Sequence, residues 1–250
     1  MKGALRDIGV SSCMGLLTFW YFAKDESDWN DATSLTSFSK EFWLCIFFLS
    51  WPYFMFSLIW NSPSTWIRLT STFPLSWSGR DSDEGKRAVS AFSKMNLLLK
   101  LTQAYGVGQW WISSSNGDVN GAQDMLGYLK ENVSVQRLVV AAILMIAGQV
   151  LNAAIYYRIG DDGVYYGFKL GRTVPWCTKF PFNVGFRHPQ YFGVVLNIWA
   201  IAIVLLSPFS LREGLLQISL AWCFMYFLVS CMEETGGESD DSDDALKKKK

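Results

Sequence analysis

Six stretches of the chain are apolar for about the length a helix needs to cross a bilayer, and nothing else constrains the fold as strongly. A hydrocarbon core of about 30 Å takes about 20 residues in a helix. The stretches are 4–23, 41–61, 91–112, 136–157, 190–206 and 214–231. Backbone groups in lipid have no water to bond, so runs of this length are read as helices. We therefore expect an all-α, polytopic transmembrane bundle of about six apolar spans. The last two are separated only by SPFSLREG and predict a C-terminal helical hairpin. Pro52 predicts a kink in the second. Lys94, Lys100 and Gln103 interrupt the third, and such groups are tolerated where they face the bundle interior.

Composition excludes a soluble domain, because half of the residues are hydrophobic and only 18% are charged. A single His excludes a His-rich metal site, and the five Cys have no zinc spacing, so no metal is expected. Cys13, Cys45, Cys223 and Cys231 lie in apolar runs and Cys177 in a polar stretch; all are read as reduced packing residues. Basic and acidic residues balance at 22 each, and no nucleic-acid partner is expected. The first apolar run ends in bulky Trp20, Tyr21 and Phe22, which reads as a retained signal anchor.

Charge sets an expected orientation. Arg68, Arg80, Lys86 and Arg87 lie in the loop 62–90, and Arg158, Lys169, Arg172, Lys179 and Arg187 in 158–188. The alternating loops 24–40, 113–135 and 207–213 are poorer in Lys and Arg. Basic loops face the cytosol, so both termini are expected there, which an even number of spans satisfies. The sequon Asn132-Val133-Ser134 then falls on the lumenal side. The closing KKKK has the form of a dilysine retrieval signal, which implies an endoplasmic reticulum membrane protein and a coat-protein partner for the tail. The organisation expected is an extension with one span at 1–35, a membrane-embedded domain at 36–234, and an acidic, disordered cytosolic tail at 235–250.

Chemistry concentrates between Leu144 and Glu234. The fourth span is followed by Gly160, Gly163, Gly167 and Gly171 among Asp161, Asp162 and aromatics. Next come FPFN at 180–183 and RHPQYFG at 187–193, where Pro189 fits the first turn of a helix and sets Arg187 and His188 beside its N-terminus. Glu233 and Glu234 follow the last span. Since spans five and six form a hairpin, the chain leaves Pro189 and returns at Glu233 on one face, where the fourth span also ends. Gly148 lies about 13 Å below Tyr157 on that span. The glycine loop, His188 and the acid pair therefore converge at one membrane surface.

These residues resemble the phosphatidylethanolamine and phospholipid N-methyltransferase family. The resemblance rests on GQVLN, IYYRIGDDGVYYG, FPFN, HPQYFG and Glu233-Glu234 over about 90 residues. It extends more faintly to LSWPYFMF around Pro52. It implies an enzyme that moves methyl groups from S-adenosylmethionine to phosphatidylethanolamine or its mono- and dimethyl forms, on the route to phosphatidylcholine. The family's cofactor contacts align with Ile146, Ala147 and Gly148, where only the second glycine of a Gly-x-Gly is kept, and with Glu233 and Glu234. Glu234, Glu233 or His188 would accept the proton of the lipid ammonium, ahead of Asp161 and Asp162. Tyr165, Tyr166 and Phe182 would hold the methylated nitrogen by cation–π contact, and Arg187 and Lys179 the lipid phosphate. Three alternatives stay open. Arg187-His188-Pro189 is similar to the isoprenylcysteine carboxyl methyltransferases, and His-Pro-x-Tyr-x-Gly also occurs in membrane sterol reductases. A non-enzymatic scaffold or retrieval receptor predicts no bound cofactor.

Overall fold

The computed structural model describes residues 2–24, 38–79, 81–115, 122–175 and 177–247. These form α1 (Lys2–Ala23), α2 (Lys40–Asn61), α3 (Pro63–Thr70), α4 (Leu75–Ser78), α5 (Glu84–Ser114), α6 (Ala122–Asn132) and α7 (Val135–Val164). A 3-10 turn (Phe182–Val184), α8 (Pro189–Leu205), α9 (Pro208–Arg212) and α10 (Leu215–Lys247) complete the chain. There is no strand among the described residues, as the long apolar runs require.

Local chemistry sets the helix starts. Ser39 accepts from the Phe42 N–H, Asp83 from Lys86 and Ser134 from Arg137, which caps α2, α5 and α7. Pro189 opens α8 with His188 as N-cap. Ser207 and Ser210 form a capping box that turns the α8–α10 hairpin. α7 continues past the expected end of the fourth span to Val164, through a kink where Gly160 takes φ 63°. α10 likewise continues through 236–247, the stretch read above as a disordered spacer. The last three lysines, 248–250, lie outside the described residues.

Among the described residues, three helices are long and apolar enough to cross a membrane: α2, α7 and the Leu215–Thr235 part of α10. α8 is apolar but shorter, at 17 residues. The other two expected spans fall short in composition rather than length. α1 carries Lys2, Arg6 and Asp7 at its start, and α5 carries Glu84, Lys86, Arg87, Lys94 and Lys100.

α8 is the centre of the bundle, with Val195, Trp199, Ala200 and Ile203 almost wholly buried. α7 crosses it at Gly148 and Gly193, where a Cβ on Gly148 would lie 2.3 Å from the Gly193 carbonyl. α1 runs along α8, with the Phe19 and Trp199 rings 5.7 Å apart. The C-terminal carbonyls of α8 find donors inside the bundle. Trp111 Nε1 donates to Leu205 O at 2.9 Å, and Arg137 Nη2 donates to Ile203 O at 2.9 Å and to Leu206 O.

Candidate active site

The N-terminus of α8 and the last apolar turns of α10 meet at one end of the bundle. His188 Nε2 lies 3.1 Å from Glu234 Oε1, and its Nδ1 lies 4.0 Å from Glu233 Oε2. One imidazole therefore stands between two carboxylates. Burial draws the His188 pKa below its ordinary 6.5, against the pull of Glu234 in the other direction. A neutral ring that donates Nε2–H to Glu234 keeps its lone pair on Nδ1, toward Glu233.

Two tyrosines hold Glu233. Tyr166 donates its hydroxyl to Glu233 Oε1 at 2.7 Å, and Tyr191 donates to the same oxygen. Burial, then the Glu233 charge, holds the Tyr166 phenol well above its ordinary 10, so it keeps the proton it donates. Tyr166 sits in the turn after α7 with φ 55°, a backbone state rare outside glycine. That turn is fixed to the start of α5 by Arg172, which pairs with Asp162 at 3.1 Å and Asp83 at 2.5 Å.

The third support comes from α1. Asp7 is only 1% exposed. Its Oδ2 accepts from the backbone N–H of Arg187 at 2.6 Å and of His188 at 2.8 Å, and Arg6 Nε donates to its Oδ1 at 2.9 Å. The Ala4 N–H donates to Glu234 Oε1 at 2.9 Å. A Cβ on Gly3 would lie 2.4 Å from that Glu234 oxygen, so a side chain there would have to displace the carboxylate.

Two adjoining cavities open beside these groups. The first is lined by Trp60, Tyr166, Phe168, Phe182, His188 and Glu233, with Arg187 at its edge. The second is lined by Phe92, Asn96, Lys100, Asn152, Tyr165 and Tyr226. Val164, Tyr166, Gln190 and Tyr191 form walls of both.

Of the residues singled out in the sequence, Glu233, Glu234, His188, Arg187, Tyr166 and Phe182 lie together at this end of the bundle. Tyr165 faces the second cavity, with its hydroxyl 2.6 Å from that of Tyr156. Lys179 is exposed and lines neither cavity. Asp162 is engaged by Arg172, and Asp161 lines a separate cleft with Lys86 and Lys94. Ile146 and Ala147 face outward, while Gly148 is buried in the α7–α8 crossing, about 10 Å along α7 from Ile155 in the first cavity wall. None of these three reaches the acid pair. Asp7 and Lys100 are what sequence reasoning missed as site residues. An acid inside an otherwise apolar run was the available signal for Asp7.

Fold and site together define a class: a helical bundle with helices long and apolar enough to cross a membrane, whose C-terminal hairpin sets a His and two Glu beside aromatic-walled cavities at one end. Residues 136–236 match the phospholipid methyltransferase family. The chain is also similar to phosphatidyl-N-methylethanolamine N-methyltransferase of Arabidopsis thaliana, at 41% identity over 87 residues. That similarity covers 35% of this chain and 49% of the relative, so the chain spans about half the length of the relative it matches. No solved structure matches.

Proposed function

We propose that the chain is a phospholipid N-methyltransferase that takes methyl groups from S-adenosylmethionine. The observation that carries the reading is Glu233, fixed by Tyr166 and Tyr191 beside His188, inside the stretch that matches the phospholipid methyltransferase family. The name of the Arabidopsis relative makes the monomethyl lipid the first acceptor to test.

The first cavity fits the cofactor by its chemistry. Carboxylates beside His188 suit an α-ammonium, and the rings of Trp60, Tyr166 and Phe168 suit a sulfonium. Lys169 Nζ already lies 4.9 Å from the Trp60 ring centroid, so that ring accepts a cation. Bound there, S-adenosylmethionine supplies the methyl group. Ile146, Ala147 and Gly148 are left with a role in packing and the lipid-facing surface.

The chain's own residues deprotonate and align the acceptor. His188 Nδ1 takes a proton from the lipid ammonium, and Glu234 stabilises the imidazolium through Nε2–H. A positioned base contributes about 10²- to 10⁴-fold. Alignment of amine, methyl and sulfur supplies much of the remainder, and the rigid Tyr–Glu–Tyr arrangement holds the wall against which they align.

We further infer an endoplasmic reticulum location with a cytosolic C-terminus, supported by the basic loops and by the dilysine form of the tail, which offers a coat protein its ligand. Membranes expressing the chain should transfer label from S-adenosylmethionine to phosphatidylethanolamine, its monomethyl or its dimethyl form, each offered alone. The transfer should vanish in Glu233→Gln and Glu234→Gln. Absence of label from all three lipids, with folded protein, sinks the reading.

A further inference from the structure

The second cavity has needs of its own that no partner within the protein meets. Lys100 stands in the leucine-rich part of α5 and points inward, where Nζ donates to Tyr226 Oη at 2.6 Å and Gln103 Oε1 at 3.1 Å. It also lies 5.3 Å from the Tyr226 ring centroid. These partners are neutral, and among the described residues no carboxylate pairs with it. A cation inside a membrane bundle is costly without an anion and marks a ligand path. Asn96, one turn earlier on α5, and Asn152 on α7 line the same cavity, and each has a buried Oδ1 with no hydrogen-bond donor. Buried acceptors are rarely left unmet. The cavity therefore asks for one anion and for N–H donors, between the rings of Phe92, Tyr165, Tyr166 and Tyr226.

We propose that the second cavity binds the zwitterionic headgroup of the acceptor phospholipid, with the phosphate diester at Lys100 and the amine toward Asn96, Asn152 and the shared wall of Tyr166 and Tyr191. This rests on the methyl-transfer reading and assigns its lipid subsite. Depth favours a lipid. Tyr226, which accepts from Lys100, precedes Glu233 by about two turns of α10, or about 10 Å. Lys100 is thus deeper among the apolar helices than the acid pair. A phospholipid carries its phosphate on the acyl-chain side of its amine, so entry from the bilayer puts phosphate at Lys100 and amine toward Glu233. Lys179 and Arg187, the sequence candidates for the phosphate, lie at the outer end. The amino-acid part of the cofactor is also a zwitterion, and the test separates the two sources.

The test is equilibrium binding to the purified full-length chain in detergent, read by tryptophan fluorescence and needing no turnover. The ligands are dihexanoyl phosphatidyl-N-methylethanolamine and, separately, S-adenosylmethionine. Lys100→Met should weaken lipid binding about tenfold or more, and Lys100→Arg should restore it to within about threefold. Asn152→Leu, whose Oδ1 has no bond to lose, should weaken it about threefold while leaving thermal stability equal or higher. Cofactor affinity should stay within about twofold in all three. Unchanged lipid affinity in the folded variants overturns the proposal and makes Lys100 an interhelical strut. Loss of cofactor affinity instead overturns it in favour of the cofactor's amino-acid part. If Lys100→Met does not fold, Asn152→Leu decides. Lipid binding that depends on Lys100 in a chain with no methyl transfer to any phospholipid overturns the catalytic reading and leaves the headgroup site standing.

Discussion

Asp7 does three things at once: it accepts from two backbone N–H groups at the start of α8, it pairs with the largely exposed Arg6, and it keeps a negative charge beside His188. That charge pulls the His188 pKa upward, against the stronger effect of burial. On the proposed mechanism the neutral imidazole is the base, so activity should fall as pH drops through the His188 pKa, below 6.5. A pH–rate profile of wild type checks this limb, and His188→Gln should remove it while lowering kcat about 10²-fold or more. Stability moves in the same direction. The folded chain resists protonating His188, the unfolded chain does not, so stability declines as pH falls below 6.5. In Asp7→Asn the loss of charge should move the acid limb to lower pH and reduce kcat about tenfold, with cofactor affinity nearly unchanged. A purely structural Asp7 would reduce the amount of folded enzyme and leave the limb where it was. Glu233, Glu234 and His188 were legible in the sequence, because a hairpin must return its two ends to one face. Asp7 was not, since it contacts Arg187 across 180 positions and reads as a flanking charge on an apolar run.

Among the helices, the apolar runs located α1, α2, α5, α7, α8 and α10, while α3, α4, α6 and α9 lie in stretches expected to be loops; the other differences fall where packing or polar ends took over. The Gly-x-Gly alignment pointed at Ile146–Gly148 for a cofactor, yet Gly148 is consumed by a helix crossing. A Cβ there would meet Asn197 Oδ1 at 2.2 Å as well as the Gly193 carbonyl. Small residues at such crossings let helices approach where lipid offers no hydrophobic drive to associate. Gly148→Val should therefore separate α7 from α8, lower thermal stability by about 2 kcal/mol or more, and reduce activity by parting Ile155 and Ile159 from His188 and Tyr191. Gly148→Ala is the sharper measurement. Its melting temperature in detergent should drop while the cofactor KM of the surviving enzyme holds, whereas a cofactor contact would raise that KM first. The end of α7 was misplaced because Arg158, Asp161 and Asp162 look like a loop. They are water-facing turns of a helix that bends at Gly160 and then presents Tyr165 and Tyr166.

The stretch 136–236 matches a methyltransferase family, but the site as built is not contained within it. α2 supplies Trp60, α5 supplies Phe92 and Lys100, and α1 supplies Asp7 and the Ala4 N–H. α1 is the element whose place in the sequence was hardest to read, because its charges keep it below the composition of a span. Those charges sit at the end it gives to the site. Beyond them, Val10, Met14, Leu17 and Tyr21 recur at helical spacing and are exposed, an apolar stripe opposite the face that packs on α8. Asp7 touches the start of α8, and Phe19 and Gly15 reach Trp199 about three turns further in, so the two helices run inward side by side and parallel. α10 returns antiparallel and sets Glu234 on the Ala4 N–H. Residues 4, 7, 188 and 234 must then share one side of the membrane, which requires an even number of crossings between Ala4 and Glu234. Epitope tags at the two ends of the chain should both be removed by protease added outside sealed microsomes, and both be protected in inverted ones. Tags that part, one cleaved and one protected, would mean that Ala4 and Glu234 never meet, and the α1 contribution to the site would fall with that contact.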